Sequence, residues 1–225
     1  LEANVKNPSE VSNDVFPFMG VIETILEGDI PCRIARISFS GELAYEVYVH
    51  ADFGPPAMDR LWASAEAVGG CLYGLEALGA MRIEKGHVTG AELDGRVTLE
   101  DAGLGRMGSL KKVFIGDALR RRPELLRDDR PQLVGIFPKD RSLIFNAGSI
   151  LCAASQVSGH GDGWITAVTH SPELGHWIGI GFIAGGQSAW EGKRVISADP
   201  VREANVEVEI VSPHMVDPEG ERLHG

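Results

Sequence analysis

The sequence is short of several patterns that mark particular classes of protein. It holds three cysteines in 225 residues, Cys32, Cys71 and Cys152, with no CxxC pair among them. This odd, scattered set does not make a closed disulfide framework, and structural thiols in a reducing cytoplasm are expected. No stretch approaches the roughly 20 consecutive apolar residues that a membrane helix needs. A membrane partner is therefore not predicted.

Positive charge is scarce as well. The chain has 21 Lys and Arg against 32 Asp and Glu, for a net charge of −11. Its only basic run, at 120–122, is typical of a solvated helix end, whereas a nucleic-acid binder usually shows a basic patch or stripe. The seven histidines do not cluster, since His170 and His176 lie six residues apart around a Ser-Pro turn. Neither a nucleic-acid partner nor a metal site is predicted.

What is present is an ordinary globular composition, with 44% hydrophobic and 24% charged residues. The length is comfortable for two small domains. The chain begins at Leu1 rather than at Met, so we expect a piece of a longer protein whose site is incomplete. An incomplete cleft would leave apolar surface bare and favour self-association.

The first part of the chain predicts an α+β region over residues 14–130, after a polar, flexible lead-in at residues 1–13. Three strand-like segments come first, followed by helical periodicity over 54–68 and 75–85, with Gly86 at a cap position. In the third strand, Tyr45, Val47 and Val49 alternate with Glu46 and Tyr48, which predicts two distinct faces. The strand-like segments are 20–26, 30–39 and 45–49.

The second part, residues 131–225, predicts a small antiparallel β-barrel. Short strands recur at about ten-residue intervals, separated by turns rich in Gly, Pro and Asp, as in sandwiches and barrels. The candidate strands are 133–137, 149–153, 164–169, 177–183, 193–197 and 206–211.

Two motifs have competing interpretations. Residues 103–108 match GxGxxG, but a dinucleotide site needs this pattern between a buried strand and a helix N-terminus. The flanking residues suit neither role, which favours a glycine-rich connector. Glu46 projects from a strand, where a carboxylate can accept two parallel N–H bonds, such as those of a pterin ring. From the residues alone, an exposed strand glutamate is the alternative.

Four segments resemble the glycine-cleavage T-protein superfamily. Residues 39–46, Phe-Ser-Gly-Glu-Leu-Ala-Tyr-Glu, resemble its signature, and residues 81–87, 114–119 and 168–175 resemble three further motifs in order and spacing. The resemblance implies a T-protein-like folate-binding α+β domain followed by a β-barrel. It also implies tetrahydrofolate as cofactor, with Glu46 binding the pterin and Phe39 in place of a folate-contacting tyrosine.

Two positions depart from the T-protein pattern. The family's folate arginine falls on Leu78, and a tryptophan falls on Arg106. Arg106 and Arg82 remain candidate cofactor-binding residues, although Arg82 is also expected to pair with a nearby acid such as Glu84 or to cap its helix. The resemblance assigns no catalytic residue, and the catalytic residues stay unknown.

Within the superfamily, residues 16–20, 76–87, 101–107 and 214–225 resemble the sarcosine oxidase alpha-subunit branch. That branch implies a cytoplasmic enzyme part that passes the imine carbon of oxidised sarcosine to tetrahydrofolate, with beta, gamma and delta subunits as partners. FAD, FMN and NAD would belong to the full complex, so the isolated chain should be colourless and inactive on sarcosine. A stand-alone folate-dependent aminomethyltransferase or demethylase and a non-catalytic folate-fold scaffold remain alternatives.

Overall fold

The computed structural model describes residues 1–109, 111–154, 157 and 159–225. Leu110, two residues after the glycine-rich segment 103–108, and three residues near the end of a predicted barrel strand lie outside this range. Contacts divide the chain into two compact units. The sheet unit comprises residues 1–78 and 219–225, and the barrel unit comprises residues 79–218. The domain division into 14–130 and 131–225 stays a prediction.

The sheet unit is built on three antiparallel strands in the order β1-β2-β3. They are β1 (Val21–Leu26), β2 (Ile30–Ala35) and β3 (Glu46–Val49), followed by helix α1 (Gly54–Ala67). The inner face buries apolar side chains because Ile30, Cys32 and Ile34 of β2 point toward the core with a period of two residues. Leu26 of β1 lies in the same core. The predicted order of three strands and a helix is confirmed, with β2 ending earlier than expected.

Residues 1–13 are not a flexible lead-in. They form two short 3-10 turns, Glu2–Asn4 and Pro8–Val11. Val5 and Val11 are each 2% exposed in the core of the sheet unit, and Val5 forms a β-bridge with Leu26. Their burial was not predicted, because most of the other residues in the segment are polar.

Helix α2 (Leu75–Lys85) has the bounds that its periodicity predicts. Gly86 adopts a φ of +74°, which suits glycine at a helix C-terminus. In the barrel unit, Ile83 packs against Ile178 and Ile180. The α2 carboxylate Glu84 is buried and accepts a hydrogen bond from the Ser171 hydroxyl.

The connector between α2 and the barrel, residues 86–130, is mostly irregular and contains the one-turn helix α3 (Asp117–Arg120). The GxGxxG segment forms a 3-10 turn, Gly105–Met107, rather than the start of a long helix. A second 3-10 turn spans Pro123–Leu125.

The barrel unit contains a closed antiparallel barrel of six strands, as predicted, in the order β4-β7-β6-β5-β8-β9. A short helix that the sequence analysis missed, α4 (Gly186–Trp190), follows β7, and the Trp190 indole N–H donates to the Ala184 carbonyl at 2.8 Å. The strands are β4 (Pro131–Pro138), β5 (Ile150–Ala153), β6 (Gly163–Ser171), β7 (His176–Ala184), β8 (Val195–Asp199) and β9 (Ala204–Val211).

A buried ion pair fixes the connector at the start of β4. Arg130 Nε lies 3.1 and 3.0 Å from the two carboxylate oxygens of Asp101, which is 5% exposed. Burial would raise the pKa of Asp101, but hydrogen bonds from Arg130 and Thr98 outweigh it and hold the pKa below its ordinary value.

We predict that Asp101→Asn lowers the free energy of unfolding by about 1–3 kcal/mol at pH 7, because it replaces a charge-assisted pair. A depressed carboxylate pKa stabilises the fold above the ordinary pKa, and this contribution is lost as the pH falls through the folded value. The difference between variant and wild type should therefore shrink below about pH 4. Urea unfolding at pH 7 and pH 3 measures it, with the exposed Asp129→Asn as a control of little effect. An equal difference at both pH values would contradict the electrostatic account.

Candidate functional site

The candidate site lies on the face of the three-stranded sheet that points away from the core of the sheet unit. Glu46 and Tyr48 are exposed on this face, whereas Val47 and Val49 pack inward. The predicted alternation of β3 is therefore confirmed. The strand register lays out two cross-strand rows on the outer face: Glu46, Ala35 and Val21, then Tyr48, Arg33 and Glu23.

Among the described residues, the Glu46 carboxylate has one defined hydrogen-bond partner on this face. The Tyr48 hydroxyl donates a hydrogen bond to Glu46 Oε2. This bond raises the pKa of the Tyr48 phenol, since the proton is shared with a carboxylate. An ionised carboxylate offers about four acceptor positions, so Glu46 keeps room for a ligand that donates two parallel hydrogen bonds.

A shallow concavity of about 430 Å³ adjoins this pair. Arg33 and Glu23 form a 2.8 Å ion pair across its floor, and both side chains are largely exposed. Such an exposed pair contributes little to stability, which leaves both groups available to a ligand. The lining residues are Glu23, Thr24, Ile25, Pro31, Cys32, Arg33 and Tyr48.

The loop between β2 and β3 holds Phe39, which is 37% exposed. The Ser38 hydroxyl accepts a hydrogen bond from the Gly41 amide at 2.9 Å. Gly41 has a φ of +91°, a conformation that side chains disfavour, so glycine suits this turn. The turn sends the chain from Phe39 back into β3, where Glu46 is the first residue.

Arg36, at the start of this loop, is 2% exposed and its guanidinium donates only to oxygens of neutral groups among the described residues. It bonds the Phe16 carbonyl and both the carbonyl and side-chain oxygen of Asn13. Longer bonds of 3.4 and 3.3 Å reach the carbonyls of Leu223 and His224. One side chain therefore joins the loop, the N-terminal segment and the last residues of the chain.

The C-terminal tail, residues 219–225, makes further contacts within the sheet unit. Arg222 pairs with Glu42 of the loop at 3.2 Å, and the His224 ring meets the Phe18 ring edge-on at 6.5 Å between centroids. The loop that precedes Glu46 is thus supported on two sides.

Arg82, a predicted folate contact, is engaged within the barrel unit. Its guanidinium lies 3.2 Å from Glu92 Oε2 and donates to the His87 carbonyl at 3.0 Å, just beyond the end of α2. The acid partner is Glu92 rather than the predicted Glu84, because residues two apart on a helix do not face each other. Glu84 accepts a hydrogen bond from Ser171 instead. Residues 89–92 form a Thr-x-x-Glu pattern in which Glu92 also accepts from Thr89 N at 2.7 Å, and this capping signal could have identified Glu92.

The four predicted cofactor-binding residues fall in two groups. Phe39 and Glu46 belong to the sheet unit, and Arg82 and Arg106 belong to the barrel unit. Arg106 is exposed on the 3-10 turn Gly105–Met107. The sequence analysis did not identify Tyr48 or Arg33 as candidate functional residues, although strand alternation already placed Tyr48 beside Glu46.

The described residues contain neither a metal-binding cluster nor a helix that could span a membrane. Within residues 1–109, 111–154, 157 and 159–225, no three His, Cys, Asp or Glu side chains are grouped as they would be to hold a metal ion. In the same ranges, no helix has the length and apolar character needed to cross a bilayer.

A family model and a solved structure both match this chain. Residues 3–112 match the family model of the GCVT N-terminal domain. The crystal structure of glycine cleavage system aminomethyltransferase T from Bartonella henselae matches with a TM-score of 0.70 at 21% identity, covering 92% of this chain and 54% of that one. The chain therefore has a T-protein fold, as predicted.

Relatives found by sequence identify particular proteins that this chain resembles. Sarcosine oxidase subunit alpha of Rhizobium meliloti is 36% identical over 219 residues, which are 96% of this chain and 22% of that protein. An aminomethyltransferase of Streptomyces coelicolor is 30% identical over 159 residues, 68% of this chain and 41% of that one. The chain is homologous to sarcosine oxidase alpha subunits and to aminomethyltransferases, and it spans about a fifth of the length of the former.

We predict that Arg36→Leu lowers the free energy of unfolding by about 2–4 kcal/mol, since it leaves several buried carbonyl groups without a donor. Urea unfolding of the chain measures this loss. Arg33→Leu is the matched control. Among the described residues its guanidinium pairs with the exposed carboxylate of Glu23, so its loss should change stability little. Similar losses in both variants would show that Arg36 does not join the three segments.

Proposed function

We propose that this chain is the C-terminal, tetrahydrofolate-binding, aminomethyltransferase-like part of a sarcosine oxidase alpha subunit. In that role it passes the imine carbon of oxidised sarcosine to tetrahydrofolate, giving glycine and 5,10-methylenetetrahydrofolate. The observation that carries the proposal is the exposed Glu46 carboxylate on the open sheet face, at the end of the family's signature.

The residues of the sheet unit fit a folate. A pterin ring presents a ring N–H beside an exocyclic amine, and a carboxylate such as Glu46 can accept both bonds in parallel. Val21 and Ile25 are large exposed apolar side chains on the same face, which suits the flat ring system. When bound, tetrahydrofolate supplies the nucleophilic nitrogen that accepts the one-carbon unit.

The protein's own contribution is orientation rather than covalent catalysis. In this proposal Glu46 fixes the pterin, and Phe39 of the preceding loop is a further contact to the ring system. Arg82 and Arg106 remain proposed folate contacts. Arg82 is already held by Glu92, whereas Arg106 is exposed.

The remaining steps belong to a larger assembly. Oxidation of sarcosine would take place at a flavin, with FAD, FMN and NAD bound elsewhere in a complex with beta, gamma and delta subunits. The relative from Rhizobium meliloti is a subunit by name, and this chain spans 22% of its length. This similarity supports the proposal that other subunits are partners.

A second candidate is a stand-alone folate-dependent aminomethyltransferase, which the 30% identity to an aminomethyltransferase favours. The sequence encoded upstream of Leu1 separates the two candidates. A dinucleotide-binding region there would support the oxidase, and a single T-protein first domain would support the stand-alone enzyme.

We predict that the chain binds 5-formyltetrahydrofolate with a dissociation constant in the micromolar range, and that Glu46→Ala abolishes this binding because it removes both acceptor oxygens. Isothermal titration calorimetry measures both proteins. Glu66→Ala, which removes an exposed carboxylate from α1, is the control and should bind like the wild type. Unchanged binding by Glu46→Ala would refute the assigned role, and absence of binding by wild-type chain and full-length subunit alike would favour a scaffold.

The connector presents an apolar surface that partner subunits would cover. Val113 and Ile115 are almost fully exposed. More than half of each of three other large side chains is also exposed: Met107, Leu119 and Leu126. Bare apolar surface of this kind favours association.

We predict that the isolated chain self-associates in solution, and that Val113→Ser combined with Ile115→Ser shifts it toward monomer. Light scattering at several concentrations measures the change. Val68→Ser, at another highly exposed valine outside the connector, is the matched control. A monodisperse wild-type monomer would contradict the prediction.

A further inference from the structure

We propose that Tyr48 is a positioning residue of the folate site, which holds the Glu46 carboxylate in the orientation that a pterin requires. The inference rests on the proposed function, because it concerns the ligand of Glu46. It assigns a specific task to the phenol hydroxyl of a residue outside the family signature at 39–46.

The strand geometry places the two side chains together. Residues i and i+2 of a strand lie on the same face, and the Tyr48 hydroxyl donates to Glu46 Oε2. An exposed glutamate samples many rotamers, and ordering it on ligand binding costs conformational entropy. A donor that holds the carboxylate beforehand removes part of this cost.

The acceptor positions leave room for both partners. Each oxygen of an ionised carboxylate can accept two hydrogen bonds. Tyr48 occupies one of about four positions, so a bidentate donor can still use one lone pair on each oxygen. The phenol therefore orients Glu46 without blocking it.

The neighbouring charged groups on this face do not hold the Glu46 carboxylate. Arg33, opposite Tyr48 in the strand register, forms its 2.8 Å ion pair with Glu23. Among the described residues, Glu46 forms no ion pair with a Lys, Arg or His side chain. Tyr48 is thus the group on this face that holds Glu46.

Tyr48 also connects Glu46 to the adjoining concavity. Its side chain lines the 430 Å³ space together with Ile25 and Pro31, while its hydroxyl reaches the carboxylate. A ligand whose pterin binds Glu46 can extend along the tyrosine ring into this space.

The test compares wild type, Tyr48→Phe, Glu46→Gln and the double variant by calorimetric titration of the full chain with 5-formyltetrahydrofolate. Tyr48→Phe keeps the ring and removes only the hydroxyl, so we expect binding to weaken about three- to tenfold. In the Glu46→Gln background the same change should have a smaller effect, because the two residues act through one bond. Tyr73→Phe, at an exposed tyrosine away from β3, is the control and should leave binding unchanged.

A second measurement needs no folate. In carbon-13 spectra of labelled tyrosine, the Tyr48 signal, identified by its loss in Tyr48→Phe, should titrate at lower pH in Glu46→Ala than in the wild type. The direction follows because the bond to Glu46 raises the pKa of the phenol in the wild type.

The outcomes are distinct. Equal dissociation constants for wild type and Tyr48→Phe, or the same weakening in both Glu46 backgrounds, overturn the positioning role even if folate binds. If the wild-type chain and the full-length subunit bind no folate, the proposed function fails and the inference fails with it. If the titration of the Tyr48 signal still changes in Glu46→Ala in that case, the hydrogen bond between the two side chains exists but has no role in binding folate.

Discussion

The sheet unit depends on one buried cation. Arg36 is held by the oxygens of neutral groups in residues 13–16 and 223–224. A buried guanidinium is costly unless its N–H groups are bonded, so these acceptors and the arginine stabilise one another only as a set. The consequence is local order at the end of β2, where the loop toward Glu46 begins.

The candidate site follows from this anchored loop and from strand alternation. The turn at Gly41 returns the chain into β3, and the inward packing of Val47 and Val49 fixes the rotation of that strand. With the inner face committed to the core, Glu46 and Tyr48 have to face outward. Packing energy from apolar residues thereby determines where the polar, ligand-facing groups point.

Local sequence patterns predicted much of the fold, but they did not predict the contacts between residues that are far apart in the sequence. The outward direction of Glu46, the bounds of α2 and the six barrel strands all follow from periodicity and turn residues within a few positions. The buried lead-in, by contrast, depends on Val5 meeting Leu26. The support of the loop by Arg222 spans 180 residues of sequence. The Glu84 carboxylate accepts a hydrogen bond from Ser171, 87 residues further along the chain. No local signal encodes such choices.

Net charge limits how a folate could be recognised. The chain carries −11, and a folate's glutamate tail is anionic, so long-range electrostatics oppose the encounter. Affinity must then come from short-range, directional contacts, and the pterin end offers these through the carboxylate of Glu46 and the phenol of Tyr48. The anionic end needs a cation. Within the sheet unit, Arg33 shares its charge with Glu23, so it offers the tail only part of a positive charge.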